Sequence, residues 1–143
     1  HVVTLNKTHN RMPRWLSEGI SVYEERQADA SWGERMNPRY REWILSGRLT
    51  PIDQMSSAFL APESPLHLQF AYYQASLVVQ YLIEVYGLDK LRDVLSDLAS
   101  GLPINITLER RMAPLLQLDQ EFQDYASEEA RQFGPDLDWQ DYD

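Results

Sequence analysis

Trp15-Leu16-Ser17-Glu18-Gly19-Ile20-Ser21-Val22-Tyr23-Glu24-Glu25 is the stretch around which the rest of the chain can be read. Its spacing predicts a short amphipathic helix over residues 13–27, with Trp15, Leu16, Gly19, Ile20, Val22 and Tyr23 spread over a broad apolar face. Pro13 falls in the first turn, where a missing backbone N–H does no harm. Glu18 lies among the apolar residues, with Trp15 three positions before it and Val22 four after. A carboxylate held against a core needs a cation, a ring of donors or a metal ion. Gly19 costs about 1 kcal/mol against alanine in a helix interior. Close approach of another backbone would offset that cost.

The chain around this stretch reads as helix after helix. Residues 1–7 have the character of a helix end, with His9 in the turn that follows and Trp32-Gly33 in a polar connection over 28–36. Asn37-Pro38 is an N-cap followed by proline at the first helical position, and the helix it opens runs to Ser46, where Gly47 stops it. Tyr40, Trp43 and Ile44 recur at helical spacing and should face inward. Thr50-Pro51 repeats the start signal for one or two turns ending near Ser57. Ser64-Pro65 opens the longest helix, residues 65–86, closed by Gly87. Phe70, Ala71, Ala75, Val78, Val79 and Leu82 surround it on nearly all sides, which predicts a central, buried helix. Shorter amphipathic segments follow over 88–99 and 104–112. Pro114 breaks the pattern before a last helix over 118–133. No segment alternates at period two, and no repeat or linker divides the chain. The expected architecture is all-α: one helical domain over residues 1–135, then a disordered acidic tail over 136–143.

Composition excludes several functions. With 143 residues, 43% of them hydrophobic and 24% charged, the chain can bury a sizeable core. A formal net charge of -9 argues against a nucleic-acid backbone or an anionic membrane surface as partner. There is no cysteine, hence no disulfide, thiolate metal site or cysteine nucleophile. No apolar run reaches the roughly 18 residues of a membrane span. Localisation is open. An upstream signal would make the protein extracytoplasmic or membrane-anchored, in a bacterial setting.

The run Trp15–Gly19 followed by Tyr23-Glu24-Glu25 resembles the glutamate helix of gluzincin metallopeptidases, the thermolysin-like and aminopeptidase-like zincins. In that group an H-E-x-x-H helix brings two zinc-binding histidines and a catalytic glutamate, and a glutamate on the next helix completes the site. Phe70 to Ser76 is similar to a helix of the peptidase-MA-like branch of the same group. The resemblance spans most of residues 1–133, and the Glu18 segment is its specific part.

By this resemblance His1, seventeen positions before Glu18, corresponds to the second zinc histidine, and His1 and Glu18 are metal ligands. It further implies a zinc peptidase acting on a peptide or protein substrate, with this chain as the helical lower lobe. The H-E-x-x half would precede His1. The chain is therefore expected to be a C-terminal fragment, inactive alone and a weak zinc binder at best, unless the match at His1 is a coincidence. Glu25, two turns beyond Glu18 on the same face, could accept a hydrogen bond from a ligand histidine, or simply face solvent. Tyr73 and Tyr72 are candidates for donating a hydrogen bond to the oxyanion of a peptide carbonyl, Tyr73 slightly preferred, with His67 as a substitute. The competing readings make Glu18 the salt-bridge partner of Arg14, the two tyrosines core residues, and the whole chain a non-catalytic helical interaction module.

Overall fold

A computed structural model of the chain describes residues 12–28 and 36–133. The expectations for His1, His9, Trp32 and the acidic tail lie outside the described residues. Those residues form seven α-helices and no strand, the all-α architecture expected. They are α1 (Arg14–Ala28), α2 (Pro38–Leu45), α3 (Met55–Leu60), α4 (Pro65–Tyr86), α5 (Leu88–Ala99), α6 (Ile104–Arg111) and α7 (Leu115–Phe133).

Helix α4 is the centre of the domain. Eleven of its residues are buried, among them Phe70, Tyr73, Ala75, Val78, Val79 and Leu82. It starts where Ser64 Oγ accepts the His67 N–H, and it ends at Gly87, whose φ of 100° suits a residue without Cβ. Helix α1 packs on α4 more extensively than any other pair. The reason is Gly19. A Cβ there would sit 2.6 Å from the Ala75 carbonyl oxygen, so the two helices approach backbone to backbone.

Two boundaries differ from the sequence reading, each for a packing reason. The segment after Pro51 is a 3-10 turn over Ile52–Gln54 that passes into α3 and continues to Leu60. Ile52, Met55 and Phe59 are all buried, and that apolar series carries the helix past Ser57. Helix α7 starts at Leu115 rather than Leu118, because Pro114 serves as its entry. The proline carbonyl accepts the Leu118 N–H at 2.9 Å, and Glu109 Oε2 accepts the Leu115 N–H at 3.0 Å. A proline that ends one helix has its φ already set for the next.

Polar groups tie the outer elements to one another and, through Gln80, to α4. Asp119 on α7 accepts the Ile52 N–H at 2.7 Å, and Arg41 on α2 donates to the Ala130 carbonyl at 3.0 Å. Gln80 joins three helices, accepting from Arg26 at 3.0 Å and donating to the Tyr125 hydroxyl at 2.7 Å. Asp97, with a side chain 10% exposed, takes two bonds from Arg111, at 2.8 and 2.9 Å, and one from the Thr107 hydroxyl at 2.7 Å.

These donors hold the Asp97 carboxyl well below the usual carboxylate range, the Arg111 bonds first and the Thr107 bond second. A depressed carboxylate adds stability above its unfolded value of about 3.9, and that stability is lost as pH falls through the lower folded value. The melting temperature should therefore fall as pH drops below about 4, and Asp97→Asn should flatten the fall. Parallel melting curves for the variant and the parent across that window would refute the assignment.

Candidate functional site

Glu18 stands at the rim of the α1–α4 contact, half-buried, one residue before the close approach at Gly19. The apolar face around it is deeply buried, with Trp15 1% and Leu16 0% exposed, so the helix can rotate little and the position of Glu18 is set by its neighbours. Arg14, one turn earlier, places Nε 3.7 Å from Glu18 Oε2, with side chains 52% and 35% exposed. This is a loose pair between solvated groups, beyond hydrogen-bond distance and worth at most about 1 kcal/mol. It leaves the Glu18 carboxylate available to another partner.

The same arginine reaches across to α4. Its Nη2 donates to the Tyr72 hydroxyl at 3.0 Å, and its guanidinium lies 5.5 Å from the centre of the Phe59 ring. Phe59 in turn meets Tyr72 edge to face at 5.1 Å. Glu18, Arg14, Tyr72 and Phe59 thus form one cluster drawn from α1, α3 and α4. The Tyr72 oxygen accepts from Arg14, which leaves its own proton to be donated elsewhere.

Tyr73, the neighbour, has a different environment. It is 2% exposed, stacks on Tyr40 at 5.1 Å, and among the described residues its hydroxyl meets only the Met36 sulfur, at 3.7 Å. Burial pushes its phenol far above the ordinary tyrosine value. His67 lies in the first turn of α4, with Nδ1 2.7 Å from Ser64 Oγ and its ring 5.1 Å from that of Trp43. Glu25 is exposed on α1. His1 lies outside the described residues, so its distance to Glu18 is not defined.

Could this site hold a metal? Among the described residues no group of three His, Asp or Glu side chains stands close enough to do so. What is present fits one ligand of such a site. Glu18 offers an oxygen donor at a half-exposed rim, engaged among the described residues by a loose ion pair. The Arg14–Tyr72 bond is the part that sequence reading missed. A contact between residues 58 positions apart leaves no local signal.

Comparison with known proteins bears on the same segment. No curated protein and no solved structure matches the chain. The sequence profile of the Peptidase MA superfamily does match, over residues 1–121, a span holding His1, the Glu18 helix and all of α4. On that match the chain belongs to the Peptidase MA superfamily, and its helical domain is peptidase-like.

Proposed function

We propose that this chain is the helical lobe of a zinc-dependent peptidase, with Glu18 and His1 among the metal ligands and Tyr72 as hydrogen-bond donor to the substrate carbonyl. The observation that carries the proposal is the Peptidase MA match over residues 1–121, a span that takes in His1, Glu18 and Tyr72. One guanidinium contacts a half-buried carboxylate on α1 and a phenol on α4, in a chain of a superfamily that is generally zinc-dependent. The remaining members of the motif, the first histidine and the general-base glutamate, would come from sequence upstream of His1.

When bound, zinc would supply a water of lowered pKa and polarise the scissile carbonyl. The residues of this chain do the rest of what can be assigned. Glu18 gives a negative oxygen on a helix that cannot shift, because Gly19 seats it against α4. Arg14 keeps Tyr72 turned toward the same rim and leaves the phenol proton free for an oxygen that gains charge. Glu25 would accept a hydrogen bond from the ring N–H of a ligand histidine if one is presented along α1.

The test is Glu18→Gln in the chain extended upstream, with zinc content and melting temperature measured on the same sample. A carboxylate ligand lost to an amide should weaken zinc binding by at least about tenfold and remove activity, with the helices intact. Because the Arg14 pair is loose and solvated, the melting temperature of the zinc-free protein should move little. Retained zinc and activity would overturn the ligand assignment.

A further inference from the structure

On another face of the α3–α4 pair lies a cleft of about 480 Å³, between the end of α2, the 61–64 connection and the first turns of α4. Its volume falls in the range of roughly 300–1,000 Å³ of small-ligand sites. One wall is aromatic, with Trp43 and Phe70 edge to face at 5.1 Å. Ala58, Ala61 and Pro62 add an aliphatic lining. Gln74, 1% exposed, accepts the Thr50 N–H at 3.1 Å and donates to the Thr50 carbonyl at 2.7 Å. Those bonds pin the segment that carries Arg48, and they satisfy the polar groups at the bottom of the cleft.

The rim is different, because it carries donors. The Arg48 guanidinium lies 5.9 Å from the centre of the Trp43 indole, and among the described residues no ion pair engages it. His67 rests against the same indole. Ser64 Oγ already accepts the His67 backbone N–H at 3.2 Å, and giving its proton to Nδ1 satisfies both groups. Nε2 then carries the imidazole proton. Glu63 is 3.8 Å from Nε2 with a side chain 84% exposed, too far for a hydrogen bond and easily displaced.

Two donors beside an aromatic and aliphatic slot match a carboxylate that adjoins a bulky apolar side chain. We propose that this cleft binds peptides by their C-terminal residue. The carboxylate meets Arg48 and His67 Nε2, and the side chain enters between Trp43 and Ala61. An apolar side chain alone would leave Arg48 unengaged, and a carboxylate alone would leave the slot empty. The cleft is separate from the Glu18 cluster: Ala58 and Ala71 line it, while the next residues on the same helices, Phe59 and Tyr72, turn toward Arg14. The proposal therefore needs no zinc.

Calorimetric titration with N-acetyl-L-phenylalanine in the presence of a chelator tests it. Saturable binding is expected, and N-acetyl-L-phenylalaninamide, which has no carboxylate, should bind about tenfold or more weakly. Arg48→Gln should lower affinity for the acid by a similar factor without changing affinity for the amide. Ala61→Trp, at an exposed position, should fill the slot and abolish binding with an unchanged melting temperature. Free L-phenylalanine binding as tightly as the acetylated form would assign the cleft to amino acids and overturn the peptide reading. So would equal affinity for acid and amide, absence of saturation, or undiminished binding to Ala61→Trp. Glu18 is untouched and metal is removed throughout, so failure here leaves the zinc reading intact, and zinc loss in Glu18→Gln leaves this one intact.

Discussion

Tyr72→Phe is expected, on the proposed zinc-peptidase reading, to lower kcat of the chain extended upstream by about 10²–10³-fold, the usual effect of removing one donor to a developing oxyanion. KM should stay within about twofold, since the bond strengthens only as charge develops on the oxygen. Tyr73→Phe should leave both constants close to those of the parent. The physical difference between these neighbours is their surroundings. Tyr72 is half-buried, braced by Phe59, and presents its oxygen to Arg14 at the rim that carries Glu18. Tyr73 is turned by its place on α4 into the stack with Tyr40 and Phe70, where substrate has no access. Its hydroxyl bonds only weakly, to sulfur, so its loss should cost stability no more than about 1 kcal/mol. Steady-state kinetics on both variants decides the matter. An equal loss of kcat in Tyr73→Phe would overturn the assignment to Tyr72.

Gly19→Ala is expected to destabilise the domain although helix propensity favours alanine by about 1 kcal/mol. The added methyl would lie 2.6 Å from the Ala75 oxygen, 2.8 Å from the Ala75 carbonyl carbon and 3.1 Å from a Val79 methyl. Two of these neighbours are backbone in the middle of the central helix and cannot step aside alone. Overpacking of this kind costs about 1–3 kcal/mol beyond any propensity gain. Relief requires α1 to move off α4 as a unit, and Glu18 moves with it, away from Tyr72. A lower melting temperature and weaker zinc binding should therefore appear together. Gln27→Ala, exposed on the same helix, serves as the control and should be neutral or slightly stabilising. A melting temperature for Gly19→Ala equal to that of the parent would mean that the helices are not in backbone contact.

Much of this was legible in the sequence, for identifiable reasons. Local rules sufficed for the long helix. Ser64-Pro65 and Gly87 are start and stop signals that act within one turn, and the structure has its helix between them as Pro65–Tyr86. The same holds for Asn37-Pro38, where Asn37 Oδ1 accepts the Tyr40 N–H at 2.9 Å. Gly19 was legible too, because a costly residue in a helix interior signals a close neighbour, although nothing local says which one. The start of α7 was not, since Pro114 can read as a stop or as a beginning and the Glu109 bond that helps decide it comes from the preceding helix.

The site divides in the same way. That Arg14 lies one turn before Glu18, close enough to pair with it, followed from spacing along one helix, where a residue's neighbours are fixed by the 3.6-residue period. Tyr72 and Tyr73 could not be separated by such means. They are adjacent on a helix that is apolar nearly all round, so no sequence pattern distinguishes the side that faces Arg14 from the side that faces Tyr40. The choice was made by which helix packs where: α1 against the Ala75 side of α4, seated by Gly19, and α2 against the Phe70 side. The cleft beside Trp43 has the same origin, since Arg48, His67 and Gln74 come together only once α2 and α3 have docked on α4. The sequence by itself determined the helices and the near neighbours along each of them. Only tertiary packing decided what each face meets, because those contacts join residues far apart in the chain and depend on the shape of every helix between them.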